Sequence, residues 1–475
     1  MIVTRFFEPA IAQASYLIGC AVSGEAIVID PNRDIGPYLA AAEREHLRIA
    51  YVTETHIHAD FASGTRELAH ATGATMLLSA EGPADWQYSF ADAARLIRNG
   101  DRVTLGNVHV DVVHTPGHTP EHLTFLITDG AAADQPIAAA TGDFLFVGDV
   151  GRPDLLEKTA GFADTMEAAA HTLWRSLRAF DARPDWLQVW PGHGAGSACG
   201  KGISAVPYST LGYERRFNWA YQVAGEDEFV TRVLDGQPDP PTYFATMKAL
   251  NKLGPALRSE TLPPHLDGKR LAPMVASGAV VVDTRTAAAF AVAHVTGTLN
   301  LPLGSGFVTW AGWLLPYDRD LYLIARDLAD DTVRELVRQL ALIGLDRVAG
   351  VFGADAVDSA TAGADVPGTV PQVSPADLAA HLAAGEVHLL DVRNDAEWQG
   401  GHIAGAGHVP LGRLAARLAE VPTDRPIVVH CRSGSRSAIA ASLLRRLGRL
   451  DVSNLSGGVE AWTAAGLPLQ ATARP

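Results

Sequence analysis

Apolar residues along this chain gather in short runs that end at Gly, Pro, Asp or Ser, a pattern of buried strands rather than long amphipathic helices. Tyr16 to Val22, Arg48 to Thr53, Val280 to Val282, Leu389-Leu390 and Val428-Val429 each read as such a strand. Residues 205–250 change the pattern. Tyr213, Arg215, Phe217, Trp219 and Tyr221 mix aromatics and charge at helix-like spacing, which predicts helices closing the first domain. Leu262-Pro263-Pro264 marks a first linker, because successive prolines neither donate nor continue a helix. The Ala/Gly/Asp/Pro-rich stretch from Gly353 to Pro371 reads as a second. Ser374 then caps a helix with Pro375 in its first turn, and sheet-and-helix alternation continues to the end. The expected class is α/β, with domains at 1–255, 262–355 and 372–475.

Composition adds limits. A length of 475 residues fits about three domains at roughly 100–200 residues each. A formal net charge of −15 argues against non-specific nucleic-acid binding. No apolar run is long enough to span a membrane, and no basic leader with a cleavage site is evident. Three cysteines in so long a chain make no disulfide framework, so a reducing cytoplasm is the expected home.

One of those cysteines sits in Val428-Val429-His430-Cys431-Arg432-Ser433-Gly434-Ser435-Arg436-Ser437. A strand delivers Cys431 to a Gly/Ser loop whose N–H groups can converge on an anion, and Arg432 and Arg436 add positive charge. Such a setting favours a thiolate nucleophile over an inert buried thiol. Only four residues separate Cys431 from Arg436, one fewer than the phosphatase Cys-x5-Arg loop, which favours sulfur over phosphate. The run resembles the active-site loop of rhodanese-type sulfurtransferases. Leu389 to Arg393, Gly401 to Ala406, Val409-Pro410-Leu411 and Leu455 to Trp462 extend that resemblance over roughly 372–475. It implies that Cys431 carries a persulfide sulfur, with Arg432, Ser433, Gly434, Ser435 and Arg436 binding the substrate.

The same pattern occurs earlier without its nucleophile. Asp283-Thr284-Arg285, Ala293 to Gly297 and Asn300 to Leu303 match Asp391-Val392-Arg393, Gly401 to Gly405 and His408 to Leu411 at a common offset of 108 residues. The repeat predicts a second α/β copy. Ala325 stands where the cysteine should be, so the middle domain is expected to be a non-catalytic rhodanese-like module.

The first domain holds different chemistry. Thr55-His56-Ile57-His58-Ala59-Asp60-Phe61, His114-Thr115-Pro116-Gly117-His118, Thr141-Gly142-Asp143 and Trp190-Pro191-Gly192-His193 follow one another along the chain. Imidazoles and carboxylates delivered by strand-end loops are what a catalytic metal site needs. With Ala12 to Ile18, these motifs resemble the metallo-β-lactamase fold of the glyoxalase II and persulfide dioxygenase branch over roughly 1–255. The resemblance implies an αββα sandwich followed by two rhodanese-like domains with parallel sheets. The family motif His-x-His-x-Asp-His is broken here, because Phe61 replaces a histidine that helps hold a second metal. The resemblance to persulfide dioxygenases implies one Fe(II), whose ligands, carried over by motif position, are His56, His118 and Asp143, with His58 as a reserve ligand and Asp60 and His193 outside the set. Asp143 is preferred to Asp149 because the family's carboxylate follows Thr-Gly. Arg152, in the Gly-Arg-x-Asp element, is expected to bind the anionic substrate.

Together these features resemble bacterial persulfide dioxygenase–sulfurtransferase fusions. The implied reaction oxidises a small thiol persulfide with O2 to thiol and sulfite, with Cys431 making or using thiosulfate. The direction of sulfur flow and the thiol carrier stay open. The alternatives are a zinc thioester hydrolase of the glyoxalase II type and a non-enzymatic sulfur carrier or persulfide sensor. Cys199 has two readings, a sulfur-relaying thiol at the active-site mouth or a bystander loop thiol. Cys20 reads as a core residue and Lys201 as solvated. Pairing of two chains through the middle domain is a further expectation.

Overall fold

The computed structural model describes residues 1–160, 165–259, 261–361 and 368–470. Part of the expected second linker, 362–367, and the end of the last expected domain, 471–475, lie outside the described residues. Two compact units are present. One is Met1–Ser259 with Arg338–Leu345, and the other comprises Glu260–Val337 and Asp346–Pro475.

In the first unit, strands Ile2–Glu8, Gln13–Cys20, Glu25–Ile29, Arg48–Thr53, Thr75–Ser79 and Arg95–Ile97 lie side by side in that order. A second six-stranded sheet runs Ser209–Thr210, Gln188–Pro191, Ala138–Gly142, Leu123–Asp129, Val108–His114 and Arg102–Leu105. Strand periodicity fixes which residues meet. Tyr16, Ile18 and Cys20 of one sheet share a core with Leu123, Phe125 and Ile127 of the other. On the opposite faces, Leu17 packs with Tyr38 and Leu68 of flanking helices, and Leu126 packs with Leu173 and Leu177. Helix, sheet, sheet and helix are therefore stacked in an αββα sandwich. Burying each large apolar side chain contributes roughly 1.5–3 kcal/mol. The run expected from Tyr16 to Val22 ends as a strand at Cys20, and Val22 is 82% exposed in the turn beyond.

The second unit carries two further sheets. One orders Leu299–Asn300, Val280–Asp283, Leu321–Ile324 and Val348–Phe352, and its three pairings are parallel. The other orders Gln372–Val373, Val452–Leu455, Ile427–His430, His388–Asp391 and Gly407–His408, again parallel throughout. Apart from the extra strand Gln372–Val373, the two share one strand order. The stretch read as a second linker is partly folded: Asp355–Thr361 is a helix, because Ala356 and Val357 pack against Phe352 and Leu271. Ser374 caps the helix Pro375–Ala384 through Asp377 N–H.

Candidate metal centre and cysteine loop

His56, His118 and Asp143 each follow the end of a strand and converge, their ligating atoms all within 4.8 Å of one another. His56 Nε2 and His118 Nε2 lie 3.9 and 3.6 Å from Asp143 Oδ2. The outer ring nitrogens are committed elsewhere. His118 Nδ1 donates to the Arg152 carbonyl at 3.1 Å. The Thr55 hydroxyl donates to Asp30, so it accepts from His56 Nδ1 at 2.9 Å. Both rings thereby turn a lone pair inward, the arrangement of metal-bound histidines.

Asp143 is fully buried, and among the described residues neither of its carboxylate oxygens has a hydrogen-bond partner. A carboxylate so placed is costly unless a cation neutralises it. Burial pushes its carboxyl up to about 6, against the pull of His193. Burial, with neighbouring imidazoles and Lys248, drives His56 and His118 well below the usual histidine range, so both are neutral. Two neutral imidazoles and one carboxylate fit a single transition-metal ion with open positions.

His58 is engaged differently. Its Nε2 meets Asp30 Oδ1 at 3.1 Å, and its ring lies against Phe61, 4.4 Å between centroids. Asp149, passed over as a ligand, accepts from Trp219 Nε1 and Gly202 N–H and so braces a loop. Arg152 departs from expectation. Its guanidinium is wholly buried, ion-paired with Asp154 at 2.8 Å, and donates to the Ala198 and Pro238 carbonyls. Desolvating that charge required internal partners, so it fastens the Ala198 loop and, through its carbonyl, His118, instead of presenting to an anion. Lys201 Nζ caps the Arg232 and Asp235 carbonyls, and Cys20 is buried in its strand.

Several residues here carried no motif. His122 Nε2 accepts the Asp143 N–H at 3.1 Å, and Glu121 Oε1 accepts the Ile57 N–H at 2.8 Å. Asn251, on the helix Tyr243–Leu253, donates to the His58 and Phe61 carbonyls. From the same helix comes Lys248, buried and without a hydrogen-bond partner among the described residues, its Nζ 4.9 Å above the Trp86 ring. Burial lowers its pKa, while Glu121, Cys199, Asp143 and Asp60 oppose the shift. His122 alone left a trace in sequence, four residues beyond His118.

The second unit forms the cysteine loop. Cys431 follows strand Ile427–His430, and its Sγ accepts the Gly434 N–H at 3.2 Å, with Ser437 Oγ at 3.5 Å. Gly434 has φ +101°, which suits glycine and turns the chain into the helix Ser435–Arg446. Arg436 holds Glu397 through two 2.7 Å bonds, while exposed Arg432 pairs with Glu460. Ser433, Gly434 and Ser435 border a cavity of about 530 Å³ whose other wall includes Phe290 and Asn300. At the corresponding place in the other parallel sheet, Ala325 is buried after strand Leu321–Ile324 and no glycine follows it before the next helix, Asp330–Ala341.

Comparison with known proteins agrees with this division. Residues 9–193 match the metallo-beta-lactamase superfamily, and 374–465 match the rhodanese-like domain. A mitochondrial persulfide dioxygenase ETHE1 from Bos taurus is 30% identical over 239 residues, 50% of this chain and 81% of the relative. A sulfurtransferase from Allochromatium vinosum is 40% identical over 103 residues, 22% of this chain and 96% of the relative. A crystal structure of a metallo-beta-lactamase from Staphylococcus aureus subsp. aureus COL is 40% identical with a TM-score of 0.68, covering 74% of this chain and 99% of that one. The chain spans only 60% of a hydroxyacylglutathione hydrolase from Rhodospirillum rubrum, to which it is 33% identical over 178 residues, 38% of this chain.

Proposed function

This chain belongs to the metallo-β-lactamase superfamily and carries a C-terminal rhodanese-like domain, and from that premise we propose that it oxidises a small thiol persulfide and transfers sulfane sulfur. The balanced reaction takes RS–SH, O2 and water to RSH, bisulfite and a proton. The observation that carries this reading is the set of two neutral imidazoles around an unpartnered buried carboxylate, with Phe61 where a further ligand would stand.

His56, His118 and Asp143 would hold one Fe(II), which when bound supplies electrons to oxygen and positive charge to the persulfide sulfur. The protein's part is positional. The Arg152 carbonyl orients His118, the His122 ring orients Asp143, and Asn251 fixes the loop from His58 to Phe61. Lys248 adds a desolvated positive charge that favours an anionic substrate.

In the other unit, the Cys431 thiolate attacks the outer sulfur of a sulfane donor, forming an S–S bond and expelling the donor's thiolate or sulfite. An acceptor then attacks that outer sulfur and restores the Cys431 thiolate. Sulfite as acceptor gives thiosulfate, and thiosulfate as donor runs the path in reverse. The Gly434 N–H and Ser437 hydroxyl stabilise sulfur anion at this position. The middle segment is a rhodanese-like module without a nucleophile, a reading supported by the shared strand order and by Ala325. A reducing compartment suits the three free cysteines, and no helix among the described residues is long and apolar enough to cross a membrane.

The test is oxygen consumption by anaerobically purified, iron-loaded protein on addition of glutathione persulfide, with sulfite and thiosulfate quantified. Uptake matching sulfite plus thiosulfate is expected. It should vanish in His118→Ala and persist in Cys431→Ala. Hydrolysis of a glutathione thioester without oxygen uptake, iron being bound, would overturn the reading.

A further inference from the structure

We propose that Arg175 and Arg183, with Asn99, form a binding site for an organic phosphate monoester whose remaining part is apolar. The site belongs to the first unit. None of its residues enters the reactions proposed above, so it stands independently of them.

A cavity of about 410 Å³ is lined from the end of strand Val108–His114 and from the helix Met166–Phe180. Arg175 and Arg183 line it together with Asn99 and His114, and no acidic side chain does. The chain as a whole carries a net charge of −15 and repels anions on average. Two guanidiniums sharing one cavity without a carboxylate reverse that sign locally. The helix C-terminus brings about half a negative charge nearby, which two full positive charges outweigh.

The donors are not used up by the fold. Arg175 gives Nε to the His171 carbonyl at 3.2 Å, which leaves both terminal nitrogens. Asn99 Oδ1 accepts the His114 N–H at 3.0 Å, which leaves the amide NH2 group to donate. Arg183 is half-buried, its guanidinium 5.7 Å from the Phe180 ring centroid. Asp111, the carboxylate that acts on Arg183 from a distance, is itself held by two bonds from Arg102. By contrast, the Ser176 and Thr172 hydroxyls on the same wall are committed to the Pro116 and Ala168 carbonyls.

Donor number and cavity size set the ligand class. Each guanidinium can fork onto two oxygens, and with the Asn99 NH2 group the set suits the three terminal oxygens of a phosphate monoester better than the two of a carboxylate. At roughly 30 Å³ per water, the cavity has room for about a dozen waters, far more than an inorganic anion displaces. Val113, Ala179 and Phe180 give that surplus an apolar wall.

Titration calorimetry of the metal-free full chain with phenyl phosphate tests the site without turnover. An equivalent should bind with a Kd below about 1 mM, at least tenfold tighter than inorganic phosphate or benzoate. The double variant Arg175→Gln/Arg183→Gln should lose this equivalent and keep native circular dichroism, while any equivalent held by the cysteine loop persists. Ala179→Glu brings a carboxylate to the cavity from an exposed helix position. It should weaken binding at least tenfold with both arginines intact, and it decides the matter should the double variant not fold. No such equivalent in the parent chain, equal affinity for inorganic phosphate, or binding unchanged by either alteration overturns the site.

Discussion

The His122 ring accepts the backbone N–H of Asp143 at 3.1 Å, while its other nitrogen faces Thr115 Oγ1 at 2.9 Å. Burial pulls the ring down to about 3, so it is a neutral acceptor across the physiological range. His122→Ala leaves a buried N–H without a partner, at a cost of about 1–3 kcal/mol. Loss of such outer support lowers metal affinity by roughly 10–100-fold. Equilibrium dialysis against iron should show that loss with the three ligands intact.

A pH-dependent stability follows from His58. Burial pulls its pKa down, but Asp30 at 3.1 Å, with Glu54 and Asp60 near, raises it to about 9. The folded state thus binds this proton more tightly than the unfolded chain. The stabilisation is complete below the unfolded value near 6.5 and is lost as pH rises through about 9. Urea midpoints of metal-free protein should fall over that window in the parent chain. In His58→Gln, which bonds Asp30 without titrating, the fall should be smaller.

Much of this was legible in sequence where chemistry repeats or clusters. The offset of 108 residues reappears in atomic detail. Arg393 pairs with Asp391 and donates to the Gly401 carbonyl, and Arg285 pairs with Asp283 and donates to the Ala293 carbonyl. His402 stacks on Trp398 as His294 stacks on Phe290. The convergence of His56, His118 and Asp143 was likewise readable, because strand-end loops share one edge of the sandwich. What escaped reading depends on long-range placement. Arg152 looked like an anion binder until its loop closed around it. Cys199 carried two readings in sequence, and its burial beside Asp60 and His193 comes from tertiary packing.

Lys248 is the extreme case, a lysine in an ordinary helical stretch whose environment comes entirely from tertiary packing. Its buried Nζ lies 4.9 Å above the Trp86 ring, and the charges of Glu121, Cys199, Asp143 and Asp60 favour its protonated form against the pull of burial. If it draws the anionic persulfide to the metal, Lys248→Met should raise KM for glutathione persulfide at least tenfold. Iron stoichiometry should stay at that of the parent chain. A fall in kcat alone would point to a different role.

Arg436 and Glu397 form a planar two-bond pair, both distances 2.7 Å, that joins the cysteine loop to the helix Asp395–Gln399. Lysine preserves the charge and loses the fork. Weakening a charged hydrogen bond of this kind costs about 1.5–3 kcal/mol. Arg436→Lys should therefore slow thiosulfate:cyanide sulfur transfer about tenfold or more, with oxygen uptake unchanged because the metal site lies in the other unit. Equal loss of both activities would contradict that separation.

Restoring the missing nucleophile should not restore chemistry. Ala325 occupies the strand-end position of Cys431 and is fully buried. The chain continues Arg326-Asp327-Leu328-Ala329 into the helix Asp330–Ala341, with no glycine to adopt the positive φ seen at Gly434. Without that turn, backbone N–H groups do not converge on the sulfur, and Asp327 and Asp330 bring negative charge close in sequence. A thiol at this place is therefore expected to stay protonated and unreactive. Ala325→Cys should give one cyanide-releasable sulfur per chain after loading with thiosulfate, as in the parent, and none when combined with Cys431→Ser. A second releasable sulfur would mean that the strand end alone suffices and the glycine cradle does not matter.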